Sequence, residues 1–300
     1  MRPPVIILAP PRSFTSVVCA MLGQHPEMYG LPEVNLFLGE TIHDREGALR
    51  QQERWAHHGL LRVIAQVFGG RQTVQTISLA RKWLETRANA TCVSVLRTLG
   101  EKLAPRVLVD KSPRTVVSCE GMQRARRGFP DARFIHLLRH PRAQGESLWK
   151  LTRGLAGGRL NTLDYTTDPP TVDYQRAWFS LTTNIVTFLD GVPEAQKLRV
   201  RGEDVMADPE TSLRKIVEWI GLRPDDEAVQ AMLRPERSPY ACFGPITARF
   251  GNDPNFLRDP VFKRAAASRP MSLEGSLPWR GDGRGFSGEV KGLARELGYE

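Results

Sequence analysis

The chain has 300 residues, 41% of them apolar, enough for one large α/β domain or two small ones. No Ser/Gly-rich linker, low-complexity tract or internal repeat cuts it, so a single domain over residues 1–300 is expected. The net charge of +9 comes from 42 basic residues, 34 of them Arg, scattered among 33 acids without interleaved aromatics. That pattern argues against a nucleic-acid-binding face, yet it offers an anionic small molecule an attractive field.

In chain order, residues 4–9 are an apolar run suited to a buried parallel strand. Thr15 to Gly23 follow as a helix with Val17, Val18, Met21 and Leu22 inward, ended by Gly23 and Pro26. Residues 29–33 form a short extended segment before a helix through about Gly39, and 46–104 are mostly helical by periodicity. Together, residues 34–104 make a helical insert. Strands are predicted at 106–109 and 133–138, then a helix from Pro141 to about Leu151 with Pro at a tolerated first-turn position. Residues 152–172 carry Gly154, Gly157, Gly158, Asn161, Pro169 and Pro170 without a period, the mark of a long mobile loop or lid. A helix at 173–190, a strand at 197–201 and helices at 209–220 and 225–233 complete the core. Residues 235–285 are again irregular and read as a second mobile region, and 286–297 as a final helix. Strands alternating with helices give an α/β fold with a mostly parallel sheet, its ligands at the carboxyl ends of the strands.

Two strand ends stand out. The first apolar run stops at Pro10-Pro11-Arg12-Ser13-Phe14-Thr15-Ser16, and the run at 133–138 stops at Arg139-His140-Pro141-Arg142, with Ser147 following. Each places a cation and hydroxyls where a helix opens, with free backbone N–H groups and the positive end of its dipole. Two such loops, each with an Arg and a Ser, suit a ligand that is anionic at both ends. The first is not a Walker A motif, because G-x-x-x-x-G-K-[ST] is absent.

At these residues the chain resembles the sulfotransferases that use 3′-phosphoadenosine 5′-phosphosulfate (PAPS). Pro11-Arg12-Ser13-Phe14-Thr15-Ser16 is similar to that family's loop for the 5′-phosphosulfate, and Arg139 with Ser147 to its clamp for the 3′-phosphate. Asp110-Lys111-Ser112-Pro113, Val200-Arg201-Gly202-Glu203-Asp204-Val205, Asp208-Pro209-Glu210, Trp279-Arg280 and Leu297-Gly298-Tyr299 extend the likeness over nearly the whole chain. Residues 238–245 and 250–256 resemble bacterial sulfotransferases of polyketide and related natural-product pathways. The resemblance implies a P-loop-NTPase-like three-layer fold with about five strands, PAPS as cosubstrate without a metal, and a small-molecule or carrier-tethered alcohol as acceptor.

It also implies roles. Arg12 contacts the phosphosulfate, Ser13, Thr15 and Ser16 supply hydroxyls, and the N–H groups of residues 13–16 cradle the anion. Phe14 stands where the family commonly has Gly, which implies a backbone that does not need a positive φ. Glu33 is the expected general base, its pKa raised by the apolar neighbours Leu31, Val34 and Leu36. His43, His57 and His58 are the alternatives, while His25 and His136 read as structural. Lys111 would hold the transferring sulfuryl group or the acceptor. Arg142 either adds to the potential or faces solvent, and Trp279 and Arg280 would close over the adenosine. The acceptor pocket would come from 34–104, 152–172 and 235–270. A tyrosine-peptide or glycan acceptor, a P-loop-like metabolite kinase and a polyanion binder are the competing readings.

Cys19, Cys92, Cys119 and Cys242 lack C-x-x-C spacing or nearby His partners and read as small buried side chains in a reducing compartment. Nothing approaches a membrane span, and a strand begins within the first few residues. No anchor or secretory signal is expected, and a cytoplasmic location is.

Overall fold

Short aliphatic runs separated by amphipathic stretches dictate the architecture. In the computed structural model, residues 1–50, 54–155, 160–264 and 271–300 are described. The first half runs β1 (Val5–Leu8), α1 (Thr15–Leu22), β2 (Met28–Gly30), α2 (Ile42–Arg50), α3 (His58–Gly69), α4 (Val74–Glu85), α5 (Cys92–Lys102), β3 (Val107–Asp110), α6 (Cys119–Gly128) and β4 (Arg133–Leu138). The second half runs α7 (Pro141–Thr152), β5 (Leu163–Asp164), β6 (Thr171–Val172), α8 (Tyr174–Asp190), β7 (Lys197–Arg201), α9 (Gly202–Ala207), α10 (Pro209–Ile220), α11 (Asp226–Met232), α12 (Pro254–Arg258) and α13 (Gly288–Glu296).

Five strands form one parallel sheet in the order β2-β3-β1-β4-β7. Register is set by Val5 opposite Val109 and Arg133, and by Phe134 opposite Lys197. Because strand side chains alternate between faces, β1 divides itself between two cores. Ile6 and Leu8 join Leu108 and Phe134 under α3, α5 and α8, whereas Val5 and Ile7 join Val109, Ile135 and Leu137 under α1, α10 and α11. Helices thus cover both faces, the three-layer P-loop-like arrangement, and every residue of β1 and β3 is buried, as parallel strands require.

Some expectations change. The segment at 29–33 overlaps the fifth strand, β2, which begins one residue earlier and pairs with β3 through Met28, Tyr29 and Gly30. The helix expected to run to Gly39 is a single 3₁₀ turn, Leu36–Leu38, because its lead residue Asn35 takes a left-handed conformation. Residues 152–172 carry the small hairpin β5–β6. Gly157 and Gly158 of that stretch lie outside the described residues, as do 265–270 of the 235–285 segment. Cys19 and Cys92 are buried, but Cys119 is half-buried and Cys242 is exposed on the irregular C-terminal segment. Among the described residues no helix is long and apolar enough to cross a membrane.

Candidate active site

In a parallel sheet all carboxyl ends lie along one edge, so the strand order becomes a spatial order of side chains. β2 leads to Glu33, β3 to Lys111, β1 to the 10–16 loop, β4 to Arg139 and β7 to Gly202. Residues scattered over nearly 200 positions therefore stand in one row.

At one end of the row, Lys111 is fully buried and donates from Nζ to Glu33 Oε1 at 2.9 Å and to Ser16 Oγ at 3.0 Å. Glu33, whose side chain is 29% exposed, is thus held by an ammonium and not by an apolar pocket. Leu31, Val34 and Leu36, expected to enclose it, are turned into the core. Two bare backbones fix its position: Glu33 N–H donates to the Gly251 carbonyl at 2.7 Å, and a Cβ on Gly59 would fall 2.0 Å from the Glu33 carbonyl oxygen. Behind Lys111, burial pushes the Asp110 carboxyl up to about 7, opposed by the Ser112 hydroxyl and by Lys111.

In the middle, the loop between β1 and α1 winds through two left-handed residues, Arg12 at φ 70° and Phe14 at φ 60°. The inference that Phe excludes a positive φ at position 14 is therefore corrected. A left-handed residue costs about 1–2 kcal/mol, and here contacts of the ring offset it. The ring packs against the core under α1, lies 4.3 Å beneath the Arg139 guanidinium and fills the space left by Gly202, where a Cβ would come within 2.4 Å of it. Left-handed residues in such a turn can orient successive N–H groups to one side, the usual backbone cradle for an anion.

Arg12 Nε donates to Ser147 Oγ at 3.0 Å, and its Nη1 pairs with Asp253. Ser147 was expected beside Arg139; it contacts Arg12 instead, and Arg139 reaches the same place by donating from Nη1 to the Arg12 carbonyl. Gln144, three residues before Ser147 on the same helix face, ties Nε2 to the Pro11 carbonyl at 2.9 Å. Burial lowers the Arg139 pKa to about 10, with Glu203 opposing and Arg12 reinforcing the shift. Of the residues expected to bind the ligand, Ser13 Oγ and Arg139 Nε are buried without a hydrogen-bond partner among the described residues. Orphaned donors on these two strand tips fit an anionic ligand.

Other expected residues go elsewhere. Trp279 packs its ring on Gly145, on a different face of α7 from Ser147, and donates to Asp173 Oδ1 at 3.0 Å. The Arg280 side chain, buried against Asp164 and Asp173 and paired also with exposed Asp282, locks this corner. Arg142 is a backbone pin, donating to the carbonyls of Ser272, Glu274, Gly275 and Ser276. Of the alternative bases, His43 is exposed beside Asp44, and His57 is held by Glu46. His58 accepts from the Phe250 N–H, and burial followed by Arg81 lowers it to about 4. His25 and His136 occupy structural positions, the first capped on the Arg223 carbonyl, the second buried in β4.

Asp253 was not anticipated. Besides pairing with Arg12, its backbone N–H donates to Ser16 Oγ at 3.3 Å. The Asp253-Pro254 pair signals a helix start, which it is, since the carboxylate accepts from Asn255 N–H at 2.8 Å. Nothing local signals its place beside Arg12.

The fold is a P-loop-like one, with Arg12, Ser13 and Ser16 gathered at its first βα turn. The sulfotransferase family model matches residues 3–226, and the chain belongs to that family of transferases. Among solved structures, a sulfotransferase domain from the curacin biosynthetic pathway superposes with a TM-score of 0.78 at 23% identity, covering 99% of this chain and 98% of its own. A sulfotransferase domain from the Synechococcus PCC 7002 olefin synthase gives 0.72 at 24% identity, with 100% and 95% covered. No curated protein matches the sequence significantly.

Proposed function

We propose that this sulfotransferase takes its sulfuryl group from PAPS and delivers it to the hydroxyl of a small-molecule or carrier-tethered natural-product alcohol. Residues 1–300 are taken to act as one domain, in the cytoplasm. The observation that carries the reading is the convergence on Arg12. Its guanidinium bonds to Ser147, its carbonyl receives Arg139 Nη1, and Ser13 Oγ and Arg139 Nε are buried without partners among the described residues. Such a site suits one ligand with two anionic ends. The two solved neighbours, from a biosynthetic pathway and from a synthase, support the acceptor class.

PAPS supplies an activated sulfur bound to a good leaving group, so the protein's share is positioning and fixed positive potential. Glu33 takes the proton of the acceptor hydroxyl as that oxygen attacks sulfur. The bond from sulfur to the bridging oxygen breaks, and charge grows on the departing bisphosphate. Arg12 and the N–H groups of residues 13–16 face that charge, while Lys111, anchored on Ser16, neutralises the sulfuryl oxygens. Arg139 and Ser147 hold the 3′-phosphate side. Trp279 and Arg280 contribute by bracing α7, which carries Ser147.

Titration calorimetry with adenosine 3′,5′-bisphosphate, ATP and single-stranded DNA tests the donor. The bisphosphate should bind at least tenfold more tightly than ATP. Equal affinity for ATP would favour a metabolite kinase, and tight DNA binding a polyanion binder. A screen of alcohols, free and carrier-bound, with labelled PAPS tests the acceptor, and label on tyrosine peptides or glycans alone would replace it.

A further inference from the structure

The row of strand tips contains one residue whose chemistry the reaction does not explain. Phe14 occupies a left-handed turn position that favours glycine, at φ 60° and ψ 9°. A side chain held in such a conformation persists only where its surroundings over-determine it. Here the surroundings are specific. The Arg139 guanidinium carbon sits 4.3 Å from the ring centroid, within the range of a cation–π contact. On the opposite wall Gly202 has no side chain, and a Cβ there would meet Phe14 Cδ2 at 2.4 Å and the Leu138 carbonyl at 3.0 Å. The guanidinium is thus fixed by a ring on one face and by the Arg12 carbonyl at Nη1. Its Nε, buried, has no partner among the described residues.

We infer that Phe14 is a positioning residue for the nucleotide's 3′-phosphate, acting through Arg139. A flat aromatic floor restricts rotation of the guanidinium about its last torsions, so its free donor is aimed before the ligand arrives. Preorganisation of this kind raises affinity by removing the ordering cost of binding. The ring is apolar and cannot itself bond a phosphate. Its effect therefore falls on the phosphate that Arg139 receives and not on the 5′ end, which the loop's N–H groups and Arg12 hold. Gly202 belongs to the same device, since any side chain there would displace the ring.

This inference rests on the nucleotide reading above, and one experiment separates the two. Adenosine 3′,5′-bisphosphate and adenosine 5′-monophosphate are titrated into the wild-type protein and into Phe14→Leu, Phe14→Tyr and Phe14→Gly. The wild type should prefer the bisphosphate, and Phe14→Tyr, which keeps the aromatic face, should preserve that ratio within twofold. Phe14→Leu, which keeps apolar bulk, and Phe14→Gly, which relieves the backbone, should each lower the ratio of bisphosphate to monophosphate affinity at least fivefold. An unchanged ratio in Phe14→Leu overturns the inference while leaving the nucleotide reading standing. So does a parallel loss for both nucleotides, which would mark Phe14 as a loop-shaping residue only. A wild-type protein indifferent to the 3′-phosphate overturns both.

Discussion

Two turns meet at Arg12, and they were built in different ways. Residues 10–16 leave the central strand β1 and enter α1, so their place is dictated by the sheet and their N–H groups face its edge. Residues 250–256 follow no strand. They reach the same place through Gly251, at φ 121°, which meets Glu33 and Gly59, and through Asp253, which meets Arg12 and Ser16. The first turn carries the cation, and the second offers a carboxylate in the position an anionic ligand would want. On the nucleotide reading proposed above, an anion arriving at Arg12 would have to displace the Asp253 carboxylate.

That contrast can be broken at several points. The largest effect is expected from Glu33→Gln, with turnover down on the order of 10³-fold and bisphosphate affinity within twofold; steady-state kinetics beside calorimetry decide it. If turnover survives, the base lies elsewhere and the pairing of Glu33 with Lys111 is structural. Next, Arg12→Ala should lower turnover roughly 10²-fold, as removal of a donor at the developing charge does. A loss of affinity alone would reassign Arg12 to ground-state binding. Asp253→Asn should act in the opposite direction, tightening bisphosphate binding about two- to fivefold, the scale of a partly screened ion pair. Weaker binding in that variant would show the second turn to be a true ligand contact.

The smallest effect is on stability. Asp110 is raised from its ordinary 3.8 to about 7 by burial, so the folded protein holds a proton that the unfolded chain releases. Its contribution is complete below 3.8 and lost as pH rises through about 7. Asp110→Asn should remove that slope. Denaturant unfolding at pH 4.5 and pH 8 should show wild type losing more stability over the interval than the variant, and parallel changes would refute the assignment.

Regular elements close to the sheet were legible in the sequence. The stretches 133–138 and 197–201 form strands to the residue, the first as an apolar run and the second by alternating Leu198 and Val200 with cationic residues, as suits an edge strand. β2 escaped as a strand because three residues show no periodicity, and α6 because its sequence is dominated by Arg and Gly, with Met122 and Ala125 almost its only apolar contacts. At the site, strand tips predicted which side chains share one edge, and Arg12, Ser16, Lys111, Glu33, Ser147 and Arg139 do lie together. Pairwise partners were not legible. Ser147 chose Arg12, Trp279 chose Gly145 and Asp173, and Asp253 arrived from 241 residues away. Phe14 shows a steric rule yielding to packing that no local pattern announces.

The bare contact of Gly59 with Gly251 and the Glu33 carbonyl has a practical side. Next to Gly251 in the chain, Phe250 meets Trp55 at a tilt and Phe243 edge-on, with the Arg249 guanidinium over both phenylalanine rings. Three segments of main chain touch there with nothing between them, so a side chain at position 59 would push the backbone of Glu33 away, whereas Trp55, Phe243 and Arg249 carry no part of that contact.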